Sequence, residues 1–396
     1  MNRSASSPNS LSLCLGILAL SLAFTTEGQT IRARDVGIPF AGTPGPLNAI
    51  TDVAGVTVGH TTLIRGTGSL KIGVGPVRTG VTAILPSGSQ FRPVFAAWAS
   101  LNGNGEMTGT KWIDESGFLE EPILLTNTHS VGQVADASIA WRTERKYYPA
   151  GDDYGWAALP VVAETWDGRL NDIHGRHITE ADVFKALDSA RSGPVAEGNV
   201  GGGTGMVCHR FKGGIGTSSR RTDTGYTLGV LVQANYGQRE DLVIAGIPMG
   251  TSLTNQMPVM NSIAPDYEGN SIIAIVATDA PLLPHQLKRI AKRAPLGIAK
   301  TGGFGANSSG DIFLAFSTTG PKPTKDPAVS TVAMLSNDAI DPLLKATVQA
   351  TEEAILNALI AARDMTGING NKIFALPHAR VKEILIQHDR YHPPVD

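Results

Sequence analysis

Cysteine is nearly absent from this chain: two occur among 396 residues. Cys14 lies in an apolar N-terminal stretch, so Cys208 stands alone in the remainder and no internal disulfide can staple the fold. Cys208 belongs to the apolar run Met206-Val207-Cys208 and reads as core rather than nucleophile. Charge is sparse too, with 17% Asp, Glu, Lys and Arg and a net charge of −2. That balance leaves no basic footprint for nucleic acid and no Lys/Arg run for a membrane face. The densest basic cluster, Lys288, Arg289, Lys292 and Arg293, is expected to be a solvated helix face. Also missing are a Gly-x-Ser-x-Gly elbow, a His-Glu-x-x-His pair and any Walker or dinucleotide pattern in its strand-turn-helix setting. The 9 histidines are scattered. His174 and His177 share a polar loop, while His388 and His392 fall near the chain end, where a frayed tail is expected. No metal and no cofactor is predicted. No Pro/Ser-rich or charged linker divides the chain, so one large domain is predicted despite the length.

What is present is glycine, 45 residues of it, with 24 prolines and 42% hydrophobic residues. That mixture gives many turns around a large core and argues against a helical bundle or coiled coil. At the N-terminus Arg3 precedes an apolar run from Leu11 to Phe24, too short for a comfortable membrane span. Thr26-Glu27-Gly28 offers small residues at the −3 and −1 positions of a cleavage site. Residues 1–28 are therefore expected to be a signal peptide, with a periplasmic or secreted product that is not membrane-bound after its removal.

Short apolar runs rich in β-branched residues predict strands at Val81–Leu85, Ile123–Leu125, Thr227–Val232, Ile272–Ala277 and Ile312–Phe316. Helical spacing predicts helices at Thr179–Ala190, Leu282–Arg293 and Pro342–Ala362. The elements alternate without the steady period of a doubly wound parallel sheet.

Two strand entrances carry chemistry. In Glu268-Gly269-Asn270-Ser271-Ile272-Ile273-Ala274 a polar turn runs straight into a buried strand, with Ser271 at its mouth. Cutting the Asn270–Ser271 bond would give Ser271 both a hydroxyl and a free α-amine. That amine, with an ordinary pKa near 8, could serve as the hydroxyl's own base. A turn serine satisfying backbone donors is the plainer alternative. The second entrance is Gly302-Gly303-Phe304-Gly305-Ala306-Asn307-Ser308-Ser309-Gly310-Asp311. Strand alternation puts Ser309 and Asp311 on one face, a hydroxyl–carboxylate pair able to orient a neighbouring nucleophile without histidine. A Gly-rich turn capped by Asp311 is the alternative there.

Together with further blocks, these segments resemble the DmpA-type self-cleaving aminopeptidases, the L-aminopeptidase/D-amidase/D-esterase and β-peptidyl aminopeptidase family. The blocks include Leu47–His60, Asn102–Gly109, Leu125–Gly132, Pro160–Gly168, Gly198–Met206 and Gln233–Gly237. The resemblance implies an α/β fold: an αββα sandwich of the DmpA/ornithine-acetyltransferase type with an N-terminal nucleophile. It implies self-cleavage into 29–270 and 271–396, by attack of the Ser271 hydroxyl on the Asn270 carbonyl. Ser271 matches the nucleophile, Ser309 and Asp311 the supporting pair, and Asn235 an oxyanion donor. Glu164 matches the acid that receives the substrate's free amine, and Trp166 an aromatic pocket residue. Three positions depart from the pattern: Asn270 where Gly is frequent, Asp311 where some members have Glu, and Trp166 where some have Tyr. The implied substrates are small peptides or amino-acid amides, and the implied assembly is a homo-oligomer, a tetramer being one form. An acyltransferase of the same fold, for which a Thr nucleophile is expected, and a non-catalytic periplasmic binding protein are the alternative functions.

Overall fold

A computed structural model describes residues 1–2, 31–149, 159–261, 271–323 and 328–394. Asn270 and all but the first two residues of the expected signal segment lie outside the described residues. Two sheets meet face to face. The smaller contains β1 (Thr57–Arg65), β2 (Val77–Leu85), β5 (Ile123–Asn127) and β6 (Val161–Thr165), in the order β1-β2-β5-β6. It is antiparallel except between β5 and β6. The larger is built from β3 (Val94–Gly103), β4 (Phe118–Leu119), β9 (Gly214–Arg221), β10 (Thr227–Asn235), β11 (Ser271–Thr278) and β12 (Gly310–Ser317). Its order is β4-β3-β12-β11-β10-β9, and only β11–β12 is parallel. A hairpin of β7 (Val207–Cys208) and β8 (Phe211–Lys212) precedes β9.

Side-chain alternation assigns the layers. Ile273, Ile275 and Ala277 of β11 join Leu314 and Phe316 of β12 and Ile84, Leu125 and Ala163 of the smaller sheet in the core between the sheets. The intervening residues Ile272, Ala274 and Val276 face helices α4 (Pro284–Ala291), α5 (Ala294–Lys300), α6 (Asp341–Ala361) and α7 (His378–Gln387). On the far side, Val81, Ala83, Leu124 and Val162 bury helices α2 (Val131–Glu144) and α3 (Glu180–Asp188). The result is the expected αββα sandwich, and every residue of β11 and β12 is buried. Strands covered on both faces read as continuous apolar runs, which is why these two were legible in advance.

β9 was not. Its sequence, Gly-Ile-Gly-Thr-Ser-Ser-Arg-Arg, carries no apolar alternation, yet all but its last residue are buried. Gly216 lets α6 lie flush on it, since a Cβ there would come within 2.0 Å of the Ala354 carbonyl oxygen. The hydroxyls that replace apolar groups all find partners: Thr217 donates to Val230 O at 2.6 Å and Ser218 to Ala350 O at 2.6 Å. Tyr391 and His392 are likewise held in place rather than frayed as expected. His392 N–H donates to Gly37 O at 2.9 Å, and the Tyr391 ring occupies the space a Cβ on Gly37 would need.

Residues 31–52 are stitched to the helix layer by charge. Glu353 of α6, 0% exposed, accepts from Arg34 at 2.7 and 2.8 Å, from Asn48 at 2.6 Å and from Arg220 at 2.7 Å. Burial opposes its ionisation, but the bonds and charge of Arg34 and Arg220 win and hold its carboxyl below the usual range. Replacing Glu353 with Ala strands Arg220, itself 1% exposed, and should cost ~3–5 kcal/mol in urea unfolding. Because the folded pKa is lowered, the stabilisation is present above the ordinary Glu value of about 4.3 and fades as pH falls through the folded value. The penalty of Glu353→Ala should therefore shrink in unfolding curves taken well below pH 4, and a penalty independent of pH would remove the electrostatic account.

Candidate active site

Three strand ends converge. Ser271 is the first residue of β11, directly opposite Asn235, the last of β10, and level with Gly310, the first of β12. The Ser271 hydroxyl oxygen accepts the Gly310 N–H at 3.1 Å, and the residue is 5% exposed. By alternation with Ile273 and Ile275, Ser271 faces the space between the sheets. Asn235 shares that inner face with Leu231 and Gln233. Its Oδ1 accepts from Val207 N–H at 2.8 Å and its Nδ2 donates to Trp166 O at 3.1 Å, so its amide bridges the two sheets at their edge. Just behind it, Gln233 donates to Thr126 O at 2.9 Å and Thr165 Oγ1 at 2.8 Å.

Ser309 and Asp311 do share a face: Ser309 Oγ donates to Asp311 Oδ1 at 2.6 Å. The short aspartate has ample reach because β3 bulges here. Asp311 opposes Asn102 whereas Ile312 opposes Ser100, which leaves Leu101 as the extra residue. Asn102 Nδ2 thereby donates to Asp311 Oδ2 at 3.3 Å and to Ala306 O at 3.0 Å, tying the Ser309 turn to the strand. The Ile272 N–H is a further donor to the carboxylate. Burial raises the Asp311 pKa, and the Ser309, Ile272 and Asn102 bonds pull it back only in part. Since Asp311 faces the helix side and Ser271 the sheet interior, the pair touches the Ser271–Ile272 backbone rather than the Ser271 hydroxyl.

Glu164 near the end of β6 is 3% exposed. It accepts from Glu106 N–H at 3.0 Å and from the Thr128 hydroxyl. Burial pushes its pKa up against those two bonds. Gly105 places it beside the β11–β12 pair: a Cβ there would lie 3.1 Å from Gly310 Cα and 3.3 Å from Glu164 Oε1. Trp166 follows directly and lines a cavity of about 490 Å³, with Arg169, His174, Val207, Arg210 and Met260 among the other walls.

The structure thus brings Ser271, Ser309, Asp311, Asn235, Glu164 and Trp166 to one edge of the sandwich. Sequence reasoning missed the groups that hold them. Gly310 N–H is one, since a backbone donor has no residue signature. Lys212 is another: fully buried, its Nζ donates to Met206 O at 2.6 Å, Gly213 O at 2.8 Å and Gly203 O at 3.3 Å, fixing the turn that presents Val207 to Asn235. Burial pushes its pKa down to about 7. The His129 and His174 rings, far apart in sequence, lie 4.8 Å apart. Cys208, read as core, is fully buried, and its thiol is pushed up to about 12 by that burial. Among the described residues no three His, Cys, Asp or Glu side chains gather as a metal site. Chemically, the arrangement offers a hydroxyl, amide donors, a hydroxyl–carboxylate pair beside the Ser271 backbone and a second acid at hand.

A family model described as peptidase family S58 matches residues 48–373. The chain is 49% identical over 390 residues to a β-peptidyl aminopeptidase BapA of Sphingosinicella microcystinivorans, covering 94% of this chain and 96% of that one. A BapA of Sphingosinicella xenopeptidilytica is 48% identical, with 94% and 95% covered. Among solved structures, the L-aminopeptidase D-Ala-esterase/amidase of Ochrobactrum anthropi superposes with TM-score 0.83 at 46% identity, over 91% of this chain and 99% of that one. That enzyme is described as a prototype for the serine aminopeptidases and a new variant among the Ntn hydrolase fold. A β-aminopeptidase of a Burkholderia species gives TM-score 0.81 at 47% identity, with 90% and 99% covered. Fold, strand-end geometry and likeness agree, and the chain belongs to peptidase family S58.

Proposed function

We propose that this protein is a serine aminopeptidase that cuts its own chain before Ser271 and then removes N-terminal residues, β-amino acids among them, from short peptides, amides or esters. One observation carries the reading. Ser271 begins a strand at the point where Asn235, the Gly310 N–H and the Ser309–Asp311 pair converge. The two BapA relatives support the β-peptidyl preference.

In the proposed reaction the Ser271 hydroxyl attacks the substrate carbonyl while its own new α-amine takes the proton. The tetrahedral oxyanion is stabilised by Asn235 Nδ2 and neighbouring N–H groups, each such donor being worth about 3 kcal/mol. The amine then returns the proton to the leaving nitrogen, and water releases the acyl group from Ser271. Ser309 and Asp311 hold the α-amine, because they lie against the backbone from which it emerges. Glu164 receives the substrate's ammonium group, a charge-assisted bond that selects free N-termini. Self-cleavage uses the same hydroxyl on the preceding carbonyl, through an ester that water opens. The apolar Leu11–Phe24 run supports export of the mature enzyme to the periplasm or medium, and a homo-oligomer is the proposed assembly.

Three measurements test this reading. Intact mass should show two fragments from wild type, the smaller beginning at Ser271, and one uncut chain from Ser271→Ala with no turnover; an uncut wild type would favour the binding-protein alternative. Gly310→Ala places a Cβ 2.4 Å from Asn104 O, displaces the N–H on Ser271 and should lower kcat by ~100-fold or more. A variant within twofold of wild type would remove that amide from the mechanism. Glu164 must be ionised to hold an ammonium group, and its pKa is raised, so kcat/KM should fall as pH drops through that raised value. Glu164→Gln should lose this acid limb and raise KM roughly thirtyfold, equivalent to ~2 kcal/mol; an unchanged limb would assign it to another group.

A further inference from the structure

Lys212, the last residue of β8, is a fully buried cation that the reaction as written does not use. Carrying an ammonium group into the interior is costly, and a buried charge is ordinarily paired with an opposite one. Here the Nζ donors go instead to the carbonyl oxygens of Met206, Gly213 and Gly203, at 2.6, 2.8 and 3.3 Å. An ammonium group has three donors and no acceptor, so this set leaves none for a carboxylate. The same three acceptors call for the charged form, because a neutral amine would turn its lone pair on one of them. Burial opposes that form, while charge at Cys208 and Asp167 supports it. The Cys208 thiol, pushed up to about 12, is neutral at working pH, which leaves buried Asp167 as the supporting group. A cation held at this cost on three carbonyl oxygens beside the site invites a functional reading.

The 2.6 Å contact with Met206 O matters most. That oxygen belongs to the same peptide group as the Val207 N–H, which donates to Asn235 Oδ1 at 2.8 Å. A cation on a peptide oxygen draws electron density through the conjugated O–C–N unit and makes its N–H a stronger donor. A stronger bond on Oδ1 acts in the same way on the Asn235 amide, so that Nδ2 becomes the better donor. The Val207 N–H can only donate and the Trp166 carbonyl can only accept, so the Asn235 amide has one orientation. Two planar amides thus connect the ammonium group to the donor proposed for the oxyanion. We infer that Lys212 is a positioning residue that orients and polarises the Asn235 amide through the Met206–Val207 peptide, strengthening its hold on the oxyanion. This rests on the serine aminopeptidase reading above, with Asn235 as oxyanion donor. The effect grows as negative charge develops on the substrate oxygen, so it lowers the barrier without tightening substrate binding, and kcat rather than KM carries it.

The test measures β-alanine p-nitroanilide turnover by wild type, Lys212→Met, Lys212→Gln, Asn235→Ala and the Lys212→Met/Asn235→Ala double variant. Thermal melts and intact mass restrict the comparison to folded, cut enzyme. Lys212→Met should lower kcat roughly fivefold with KM within twofold. Asn235→Ala should lower kcat ~100-fold, and the double variant should be no slower, because the relay then has no end. Losses that multiply in the double variant would show Lys212 acting apart from Asn235 and overturn the inference, as would a loss confined to KM. If Lys212→Met does not fold, wild type and Lys212→Gln decide the matter. Burial pulls Lys212 to about 7, so the ammonium form is present below that value and lost above it. Wild-type kcat should therefore fall roughly fivefold to a lower plateau as pH rises through that value. Lys212→Gln should show no such step. A wild-type profile without the step, or a Lys212→Gln profile that keeps it, removes Lys212 from the reaction while the aminopeptidase reading stands. No turnover by wild type would overturn that reading and this inference with it.

Discussion

The parallel pairing of β11 with β12 is the constraint on which the site depends. Every other neighbouring pair in the larger sheet is antiparallel. Two parallel strands that start level bring their N-terminal ends together, so Ser271 and Gly310 emerge side by side. An antiparallel neighbour on the other side then contributes its C-terminal end, which is Asn235. A hydroxyl, a backbone amide bonded to it and a side-chain amide thus meet with no loop needed to carry them. Rigid ladder register, not loop conformation, sets the distances. A one-residue slip of β11 would turn Ser271 toward the helices and destroy the constellation.

The second element of the design is buried charge. Glu353, Arg220, Glu197 and Lys212 are all nearly or wholly inaccessible, and each is bonded. Such groups rarely add net stability over an apolar core, but breaking one partner is costly. Their effect here is positional. Arg32 and Glu197, 2.7 Å apart, fasten residues 31–52 to β9 through Thr217, while Lys212 fixes the turn behind Asn235. Polar bonds of defined direction hold a register that interchangeable apolar contacts would leave free to slide.

This division explains what the sequence revealed. β11 and β12 were legible because burial on both faces leaves an unbroken apolar signature, and the Ser309–Asp311 pair because its two members are local. Helices α4 and α6 were legible through the spacing of their apolar residues. Asn235 and Glu164 were reachable only through family resemblance, since their roles arise from register between strands distant in sequence. β9 was hidden because hydroxyls bonded across the sheet and to α6 stand where apolar residues usually do. The cavity beside Trp166 carried no signal at all: its walls come from the chain that follows β6, the β7–β8 hairpin, residues 257–260 and residues 368–371.

The inward burial of Ser271 bears on the proposed cleavage. Cutting the chain there would create an amine at a residue that is 5% exposed. Burial alone would push that amine toward its neutral form, which suits a base. Burial without a counter-charge would equally penalise the protonated state through which a base must pass. Asp311 answers the second demand. Already accepting the adjacent Ile272 N–H, its carboxylate can favour a transient ammonium beside it, while Ser309 relays the contact. Desolvation and a nearby carboxylate thus push the amine's pKa in opposite directions, and a value near the working pH is what general base catalysis requires. On this argument the acid's distance from the backbone nitrogen matters more than its chain length. In the proposed reaction the β3 bulge, which sets Asn102 opposite Asp311 and so holds the carboxylate there, would serve the chemistry as much as the residues that touch substrate.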